Sequence, residues 1–396
     1  MGCHTGRQDP AGPTRTRTLT QRRDITVVGA GIIGCAVAYE LGRRGADVRV
    51  LDRRDVGCGA TQASAGMLAP FIEAEGRGPL RTLGVRSLDL YDQFVADVAG
   101  DSGAEVPYQR TGTLEVGSDD ISLARLERVQ RELSGTGVRC RLLSRSEVSE
   151  AEPQLGAAIR GALLIPSQGF VGAAALTAAL RRAGAGYGVS FMPSRAVTRL
   201  SAVNGGIVVE TTAGEVLTDT VVLAAGSWTG GVPVDGEASL PIRPVRGQLL
   251  RLRWTDTPLS RVIWSPRCYV VPWPDGSVLV GATVENVGFD EGATVSGVTT
   301  LLDAVRELLP AARDAGFEGV RVGLRPGTPD DLPVLGRSPT MPNLVYATGH
   351  YRSGILLAPV TARLVADLVL DGREDPLLGA VSPGRFDLAR VSSGGG

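Results

Sequence analysis

The sequence contains no lysine, so its 41 Lys and Arg residues are all arginines. Catalysis through a lysine Schiff base is therefore excluded. Only two histidines are present, His4 and His350, which is too few for a multi-histidine metal site. The five cysteines are scattered and form no Cys-x-x-Cys pair. We expect no metal ligands, no disulfide framework, and a reducing compartment such as the cytoplasm.

Long apolar runs and an excess of one charge are also absent. No segment approaches the ~18 consecutive apolar residues of a membrane span. Residues 1–22 are polar and rich in arginine, and they lack the apolar core of a signal peptide. We interpret them as a disordered leader. The net charge of -1 creates no field that would attract nucleic acid or an anionic membrane, so we expect neither as a partner.

A dinucleotide-binding pattern is present near the N-terminus. The apolar strand pattern at 25–28 leads directly into Gly29-x-Gly31-x-x-Gly34, an amphipathic helix follows, and a second strand ends on Asp52. In a βαβ unit the first glycine makes the tight turn, the second lets the backbone approach a pyrophosphate, and the third lets helix and strand pack closely. Asp52 lies about 20 residues beyond the glycines, where an acid accepts hydrogen bonds from a ribose. The order of these features favours an adenine-dinucleotide site over an ordinary glycine-rich turn.

The next segment, residues 59–70, is dense in small side chains. Such a segment lets the backbone lie against a large flat ligand with its N–H groups exposed. An ordinary flexible loop has the same composition, and the residues alone do not decide between the two interpretations.

The remaining chain alternates helix and strand patterns. Helices are predicted at 80–99, 118–134, 174–183, 298–309 and 353–370, with a capped helix start at 146–150. Strands are predicted at 196–200, 207–211, 221–226, 245–253, 262–272, 278–284 and 344–349. A Pro-Asp-Gly turn at 274–276 predicts a hairpin between the strands at 262–272 and 278–284.

Five segments together resemble the D-amino-acid oxidase superfamily, and within it the glycine oxidases of thiamine biosynthesis. They are 27–34, 59–70, Val245-Arg246-Gly247-Gln248, the Gly-Leu-Arg-Pro-Gly-Thr-Pro-Asp run at 323–330, and 349–359. The resemblance covers roughly residues 22–375 and keeps the family order. One departure is Val171-Gly172-Ala173, where family members often carry Val-Asp-Pro, and it puts the start of the helix at 174–183 in doubt.

This resemblance implies FAD bound non-covalently, since the cysteine that covalent relatives use is absent from 332–336. It implies an FAD-dependent oxidase that deaminates glycine, and also sarcosine or small D-amino acids, with O2 as acceptor. The products would be glyoxylate, ammonia and H2O2, in the service of thiamine thiazole synthesis. Self-association into a homo-oligomer stays open.

At 396 residues the chain exceeds the ~250–300 residues that one hydrophobic core usually supports. We therefore predict an α/β fold, α+β overall, with a Rossmann-like FAD-binding domain and a second, antiparallel-sheet substrate domain. This is the two-domain fold of the D-amino-acid-oxidase and glutathione-reductase type. The predicted boundaries are a leader at 1–22, a discontinuous FAD-binding domain at 23–100, 166–244 and 322–376, a substrate-binding domain at 101–165 and 245–321, and a C-terminal tail at 377–396.

Site residues are also implied by the resemblance. Arg325 would anchor the substrate carboxylate beside Arg352, and Tyr269 would donate to the same carboxylate. A planar guanidinium suits this task because it offers paired charge-assisted hydrogen bonds. The alternative roles are a solvated surface charge for an arginine and sheet packing for the tyrosine. The predicted cofactor-binding residues are Gly29, Gly31, Gly34, Asp52, Arg53, Thr61, Ala65, Gly66, Met67, Val197, Ala225, Gly226, Gly349, His350, Gly354, Ile355 and Leu356.

The sequence shows no obvious catalytic base, since His4 lies in the leader and His350 is flanked by glycine-turn residues. We expect hydride transfer from the Cα of a neutral amine to flavin N5, a route that needs no protein base. Two alternatives stay open. One is a related flavin amine oxidase or dehydrogenase for sarcosine, proline-like or other D-amino acids. The other is a nucleotide-binding scaffold without turnover.

Overall fold

A computed structural model describes residues 24–73 and 78–388 of the protein. The predicted leader and residues 389–396 of the predicted tail lie outside the described residues. Within them, no helix is both long enough and apolar enough to cross a membrane.

The helices in chain order are α1 (Ile32–Arg43), α2 (Pro70–Glu73), α3 (Pro79–Ser102), α4 (Asp120–Ser134), α5 (Arg145–Ala151), α6 (Ala173–Gly186), α7 (Val295–Leu308), α8 (Gly354–Ala366) and α9 (Leu377–Val381). The strands are β1 (Asp24–Val28), β2 (Asp47–Leu51), β3 (Met67–Leu68), β4 (Tyr108–Gln109), β5 (Thr113–Gly117), β6 (Arg141–Ser144), β7 (Gly161–Ile165), β8 (Gly169–Val171), β9 (Ser190–Met192), β10 (Val197–Val203), β11 (Gly206–Thr211), β12 (Gly214–Thr218), β13 (Thr220–Leu223), β14 (Arg243–Arg253), β15 (Val262–Trp264), β16 (Tyr269–Pro272), β17 (Ser277–Gly281), β18 (Gly316–Gly327), β19 (Val334–Arg337) and β20 (Leu344–Thr348).

A six-stranded sheet of order β19-β20-β13-β1-β2-β9 forms the dinucleotide-binding part. Its strands are parallel except for β19, which pairs antiparallel with β20. Ile25 and Val27 of β1 pack under α1, α3, α6 and α8, whereas Val28 faces a small antiparallel sheet of β10, β11 and β12. Burial on both faces explains why β1 and β13 are mostly apolar.

An eight-stranded sheet of order β18-β14-β17-β16-β15-β5-β7-β6 forms the second part. Helices α5 and α7 cover one of its faces, with Leu301 and Val305 of α7 in the core. The opposite face packs against the first part through Leu249 and Val271, which join Met67 and Phe170 in a separate apolar cluster. The two sheets therefore enclose the space between them, and the predicted fold class is confirmed.

Two local predictions were wrong. Residues 262–272 do not form one strand but two, β15 and β16, because Ser265 and Pro266 begin a turn in which Ser265 Oγ accepts from Cys268 N at 3.2 Å. The helix start predicted at 146–150 lies earlier. Ser144 is the N-cap residue of α5, and Glu147 accepts from the Ser144 N–H at 2.8 Å.

The doubt about the helix at 174–183 is answered by α6, which begins at Ala173 without a side-chain cap at Gly172. The domain boundaries stay a prediction. All six strands of the parallel sheet come from the predicted FAD-binding segments, while the boundary at residue 322 falls inside β18. The described part of the predicted tail contains α9.

Candidate active site

A cavity of about 550 Å³ lies between the two sheets. On one side it is lined at the carboxyl ends of β1, β2, β13 and β20, and on the other by residues of β16, β17 and β18. The carboxyl edge of a parallel sheet is where open α/β folds bind ligands. The cavity therefore joins a nucleotide-binding edge to the face of a second sheet.

Two of the three glycines in the N-terminal turn are required by packing. Gly29 has φ +108°, and a Cβ there would lie 2.4 Å from the carbonyl oxygen of Ala224. A Cβ at Gly34 would lie 1.8 Å from the carbonyl oxygen of Gly29. Gly31 differs, because its nearest neighbour would be Thr61 Oγ1 at 3.4 Å and it lines the cavity. The space at Gly31 thus belongs to a ligand, as expected where backbone meets pyrophosphate.

The amino ends of two helices also face the cavity. The N–H of Ile32, at the start of α1, donates to Thr61 Oγ1 at 3.1 Å. In α8 the first intrahelical hydrogen bond runs from the N–H of Leu357 to the carbonyl oxygen of Ser353. The N–H groups of the three residues before Leu357 therefore have no intrahelical acceptor. Gly354 and Ile355 of this turn line the cavity. Such helix ends bind phosphates and other anionic or electron-rich groups.

Asp52 lies at the end of β2, as predicted, and its carboxylate also holds the glycine turn. Its Oδ2 accepts from the N–H of Ala30 at 2.6 Å, and Oδ1 accepts from the N–H of Arg54 at 2.8 Å. The guanidinium groups of Arg53 and Arg54 lie over the ring of Trp228, 5.7 Å and 4.6 Å from its centroid. The ribose-binding role of Asp52 stays a prediction.

Most of the predicted cofactor-binding residues come together in the cavity. Those that line it are Gly29, Gly31, Asp52, Arg53, Thr61, Ala65, Gly66, Met67, Val197, Ala225, Gly226, His350, Gly354 and Ile355. The segment 59–70 is not a flexible loop, since it forms a 3₁₀ turn at Ala60–Ala63, then β3 and the start of α2.

Three predicted residues do not line the cavity. Gly34 packs behind the glycine turn, and Gly349 occupies a tight site where a Cβ would lie 2.8 Å from Thr328 Cγ2. The side chain of Leu356 is 2% exposed and belongs to the helical core. Any contribution of these three residues to cofactor binding is made by their backbone atoms or by packing against residues that line the cavity.

Arg325, Arg352 and Tyr269 all line the cavity, Arg325 and Tyr269 from the second sheet and Arg352 from the segment between β20 and α8. Arg325 is half-buried on β18, and its Nη1 donates to the carbonyl oxygen of Thr283 at 3.0 Å. Tyr269 stacks on Trp264 with ring centroids 5.5 Å apart, and burial raises the pKa of its hydroxyl to about 12. Arg352 is the more exposed arginine, and its guanidinium lies 4.9 Å from the ring centroid of Tyr351.

Two glycines support these side chains. A Cβ at Gly247 would lie 2.3 Å from Nη2 of Arg325, so the guanidinium rests directly on the backbone of β14. A Cβ at Gly281 would lie 2.3 Å from the hydroxyl of Tyr269, so that ring rests on β17. Gly247 belongs to the Val-Arg-Gly-Gln segment, whereas nothing in the sequence indicates a role for Gly281.

His350 is buried, and its Nε2 lies 3.1 Å from Thr361 Oγ1. Burial lowers its pKa to about 3, so the imidazole is neutral at physiological pH. Neither His350 nor any other described residue takes part in a cluster of three or more His, Cys, Asp or Glu side chains that could hold a metal ion.

Glu73 is an acidic cavity residue that the sequence prediction missed. Glu73 is the last described residue of α2 and lines the cavity, where the charges of Arg352 and Arg325 act on its carboxylate. Burial outweighs them and raises the pKa of Glu73 to about 8. In the sequence Glu73 is one acid among 42 Asp and Glu residues, with no motif around it to single it out.

The parallel sheet, the glycine turn at its carboxyl edge and the adjoining second sheet define a dinucleotide-binding protein with two parts. Residues 24–368 match the family model of FAD dependent oxidoreductases, and the chain belongs to this family. Its cofactor is FAD, as predicted. The cavity fits this group, because it supplies a ligand space at Gly31 and two helix amino ends along one continuous channel.

Three comparisons define the nearer relationships. The chain is 37% identical over 362 residues to a bifunctional protein ThiO/ThiG of Nostoc sp., and the match covers 90% of this chain and 54% of that protein. It is 33% identical to a glycine oxidase of Geobacillus kaustophilus, covering 89% of this chain and 94% of the relative. The crystal structure of glycine oxidase from that organism superposes with a TM-score of 0.85, covering 90% of this chain and 96% of the other. The chain thus spans about half the length of its bifunctional relatives.

Proposed function

We propose that the protein is an FAD-dependent oxidase of small amino acids, with glycine as the main substrate and O2 as the electron acceptor. Sarcosine and small D-amino acids are the further substrates we propose, and the products are glyoxylate, ammonia and H2O2 when glycine reacts. The names of the relatives support a place in thiamine thiazole synthesis. One observation carries the proposal: Arg325, backed by the bare backbone of Gly247, faces the same cavity as the FAD-binding turn.

The site residues divide the work according to their chemistry. Arg325 and Arg352 hold the substrate carboxylate, and the Tyr269 hydroxyl donates a third hydrogen bond to it. This fixes the substrate Cα in one position and keeps water from the carboxylate. Bound FAD would supply the two-electron oxidation of that carbon, by accepting a hydride, and the transfer of the two electrons to O2. The imine that remains hydrolyses in water to the oxo acid and ammonia.

The strand that carries Arg325 is also tied to the nucleotide-binding sheet. Ser227, which follows β13, donates from Oγ to the carbonyl oxygen of Leu324 at 2.9 Å. The position of the arginine is therefore set relative to the FAD-binding edge.

The experiment that tests the proposal is anaerobic reduction of the purified yellow protein. Glycine, sarcosine and D-alanine are added separately, and we expect glycine to bleach the flavin absorbance. Admission of air restores the absorbance with release of H2O2, which distinguishes an oxidase from a dehydrogenase. A flavin-loaded protein that none of the three amino acids bleaches would disprove the proposed function.

Replacement of Gly247 by alanine is expected to impair the amino-acid site and leave the fold intact. The new Cβ displaces the flexible end of Arg325 rather than backbone, so the thermal unfolding midpoint changes little. Loss of well-placed charged hydrogen bonds, at roughly 1.5–3 kcal/mol, lowers kcat/KM for glycine by about 10- to 100-fold. Gly316→Ala on the paired strand is the matched control, because its Cβ would have 3.5 Å to the nearest atom. Equal kcat/KM values for the two variants would contradict the role of Gly247.

A further inference from the structure

We propose that Glu73 binds the ammonium group of the amino-acid substrate and accepts one proton from it, an inference that rests on the proposed function. The two arginines and Tyr269 provide for the carboxylate, whereas the ammonium group has no partner among them. An α-amino acid is a zwitterion in solution, so a site for it needs an acceptor for its positive end. Glu73 supplies that acceptor in the same cavity.

The position of Glu73 is set by the described turn of α2. Phe71 and Ile72 of α2 are buried, and the N–H of Phe71 donates to Oε1 of Gln168 at 3.1 Å. The N–H of Glu73 donates to the carbonyl oxygen of Ala69 at 3.0 Å. These anchors hold the backbone at Glu73 while its side chain extends into the cavity.

Among the residues that the structure describes, the carboxylate makes no structural hydrogen bond. Its Oε2 is buried and accepts no hydrogen bond from any residue that the structure describes. The neighbouring groups that act on it are Arg325 from β18, Arg352 from the segment after β20, and Tyr269 from β16. No ion pair joins Glu73 to either arginine within the described residues, so the arginines and the ionised form of Glu73 remain available to the two ends of a zwitterion.

The proton transfer balances without a further reactant. The carboxylate of Glu73 takes H⁺ from the substrate ammonium, giving a neutral carboxylic acid and a neutral amine. The nitrogen lone pair released in this way assists departure of hydride from the adjacent carbon. The arginines keep their charges throughout, and His350 takes no part because its imidazole points to Thr361.

The pKa values of the cavity residues support this assignment. Burial raises the pKa of Glu73 to about 8, against the opposing charges of Arg352 and Arg325. His350, with its pKa lowered to about 3, and Tyr269, with its pKa raised to about 12, titrate outside the range in which Glu73 changes charge. A rise of kcat/KM near pH 8 that is lost when Glu73 is replaced therefore reports the ionisation of Glu73, since kcat/KM follows the free enzyme and the free substrate.

The test compares wild type with Glu73→Gln, which keeps the shape of the side chain and loses its basicity. In wild type we expect kcat/KM for glycine to rise with pH through about 8, between about pH 6 and pH 10. In Glu73→Gln this rise of kcat/KM near pH 8, the limb of the pH profile that Glu73 produces, disappears. The value of kcat/KM then follows only the fraction of substrate that is already a neutral amine. The expected loss near pH 8 is about 100-fold, the lower end of what a positioned acid or base contributes.

A second readout does not depend on turnover. Acetate has the carboxylate of the substrate but no ammonium group, and its Kd is measured from the shift in flavin absorbance of the oxidised holoenzyme. In wild type, acetate binding weakens as Glu73 ionises near pH 8, because like charges then share the cavity. In Glu73→Gln the Kd for acetate is independent of pH over this range and no weaker than in wild type.

A merely structural role for Glu73 would weaken glycine and acetate binding together and leave both pH dependences in place, and that result would overturn the proposal. If Glu73→Gln fails to retain FAD, Glu73→Asp takes its place. This variant must keep the limb near pH 8 at a lower rate, and its loss would equally overturn the proposal. A wild-type protein that no amino acid bleaches refutes the proposed function instead, so the two failures are distinguishable.

Discussion

Arg325→Ala is expected to lower kcat/KM for glycine by about 1000-fold, because the substrate carboxylate is then enclosed without its partner, at a cost of about 3–5 kcal/mol. Arg325→Lys keeps a positive charge but loses the planar pair of donors, and we expect a loss of about 10- to 100-fold. Ethylamine has no carboxylate. Whatever rate it shows in wild type is expected to change far less in both variants.

The measurement is the ratio of kcat/KM for glycine to that for ethylamine across wild type, Arg325→Lys and Arg325→Ala. The wild-type flavin absorbance must be retained in all three, since Arg325 also holds the carbonyl oxygen of Thr283. If both substrates lost activity to the same degree, Arg325 would support the fold or the flavin and would not anchor a carboxylate.

Gly31→Val is expected to abolish FAD retention while the protein stays folded. Gly31 has φ -73° and ψ -177°, an extended conformation that valine adopts without strain. Its Cβ would meet only Thr61 Oγ1, at 3.4 Å, so the branched side chain projects into the ligand space. There it occupies the place where the turn approaches the pyrophosphate.

Gly34→Val is the matched control, because its Cβ would lie 1.8 Å from a backbone oxygen that cannot move away without opening the turn. We expect Gly31→Val to be colourless with a wild-type circular dichroism spectrum, and Gly34→Val to be both colourless and destabilised. A Gly31→Val protein that purifies with a full complement of flavin would refute the assignment of the pyrophosphate site.

The N-terminal half of the FAD-binding edge could be predicted from residues close together in the chain. The strand, the glycine turn, α1 and Asp52 form one continuous βαβ pattern, and each glycine has its own steric reason there. Longer-range features were predicted less well. The strands at 108–117, 141–144 and 161–171 had no assignment, because their short apolar runs have partners far away in the chain.

By itself, the sequence determined the dinucleotide-binding turn, the two-part architecture and the candidate carboxylate ligands Arg325, Arg352 and Tyr269. Each is encoded by a local pattern or by a run of residues that resembles a family. Only the tertiary structure brought Glu73 to the same cavity and placed Gly247 and Gly281 beneath the arginine and the tyrosine. The physical reason is that burial decides the pKa of a carboxyl group, and that contact between strands distant in the chain decides which positions must be glycine. Neither leaves a periodic or local mark in the sequence.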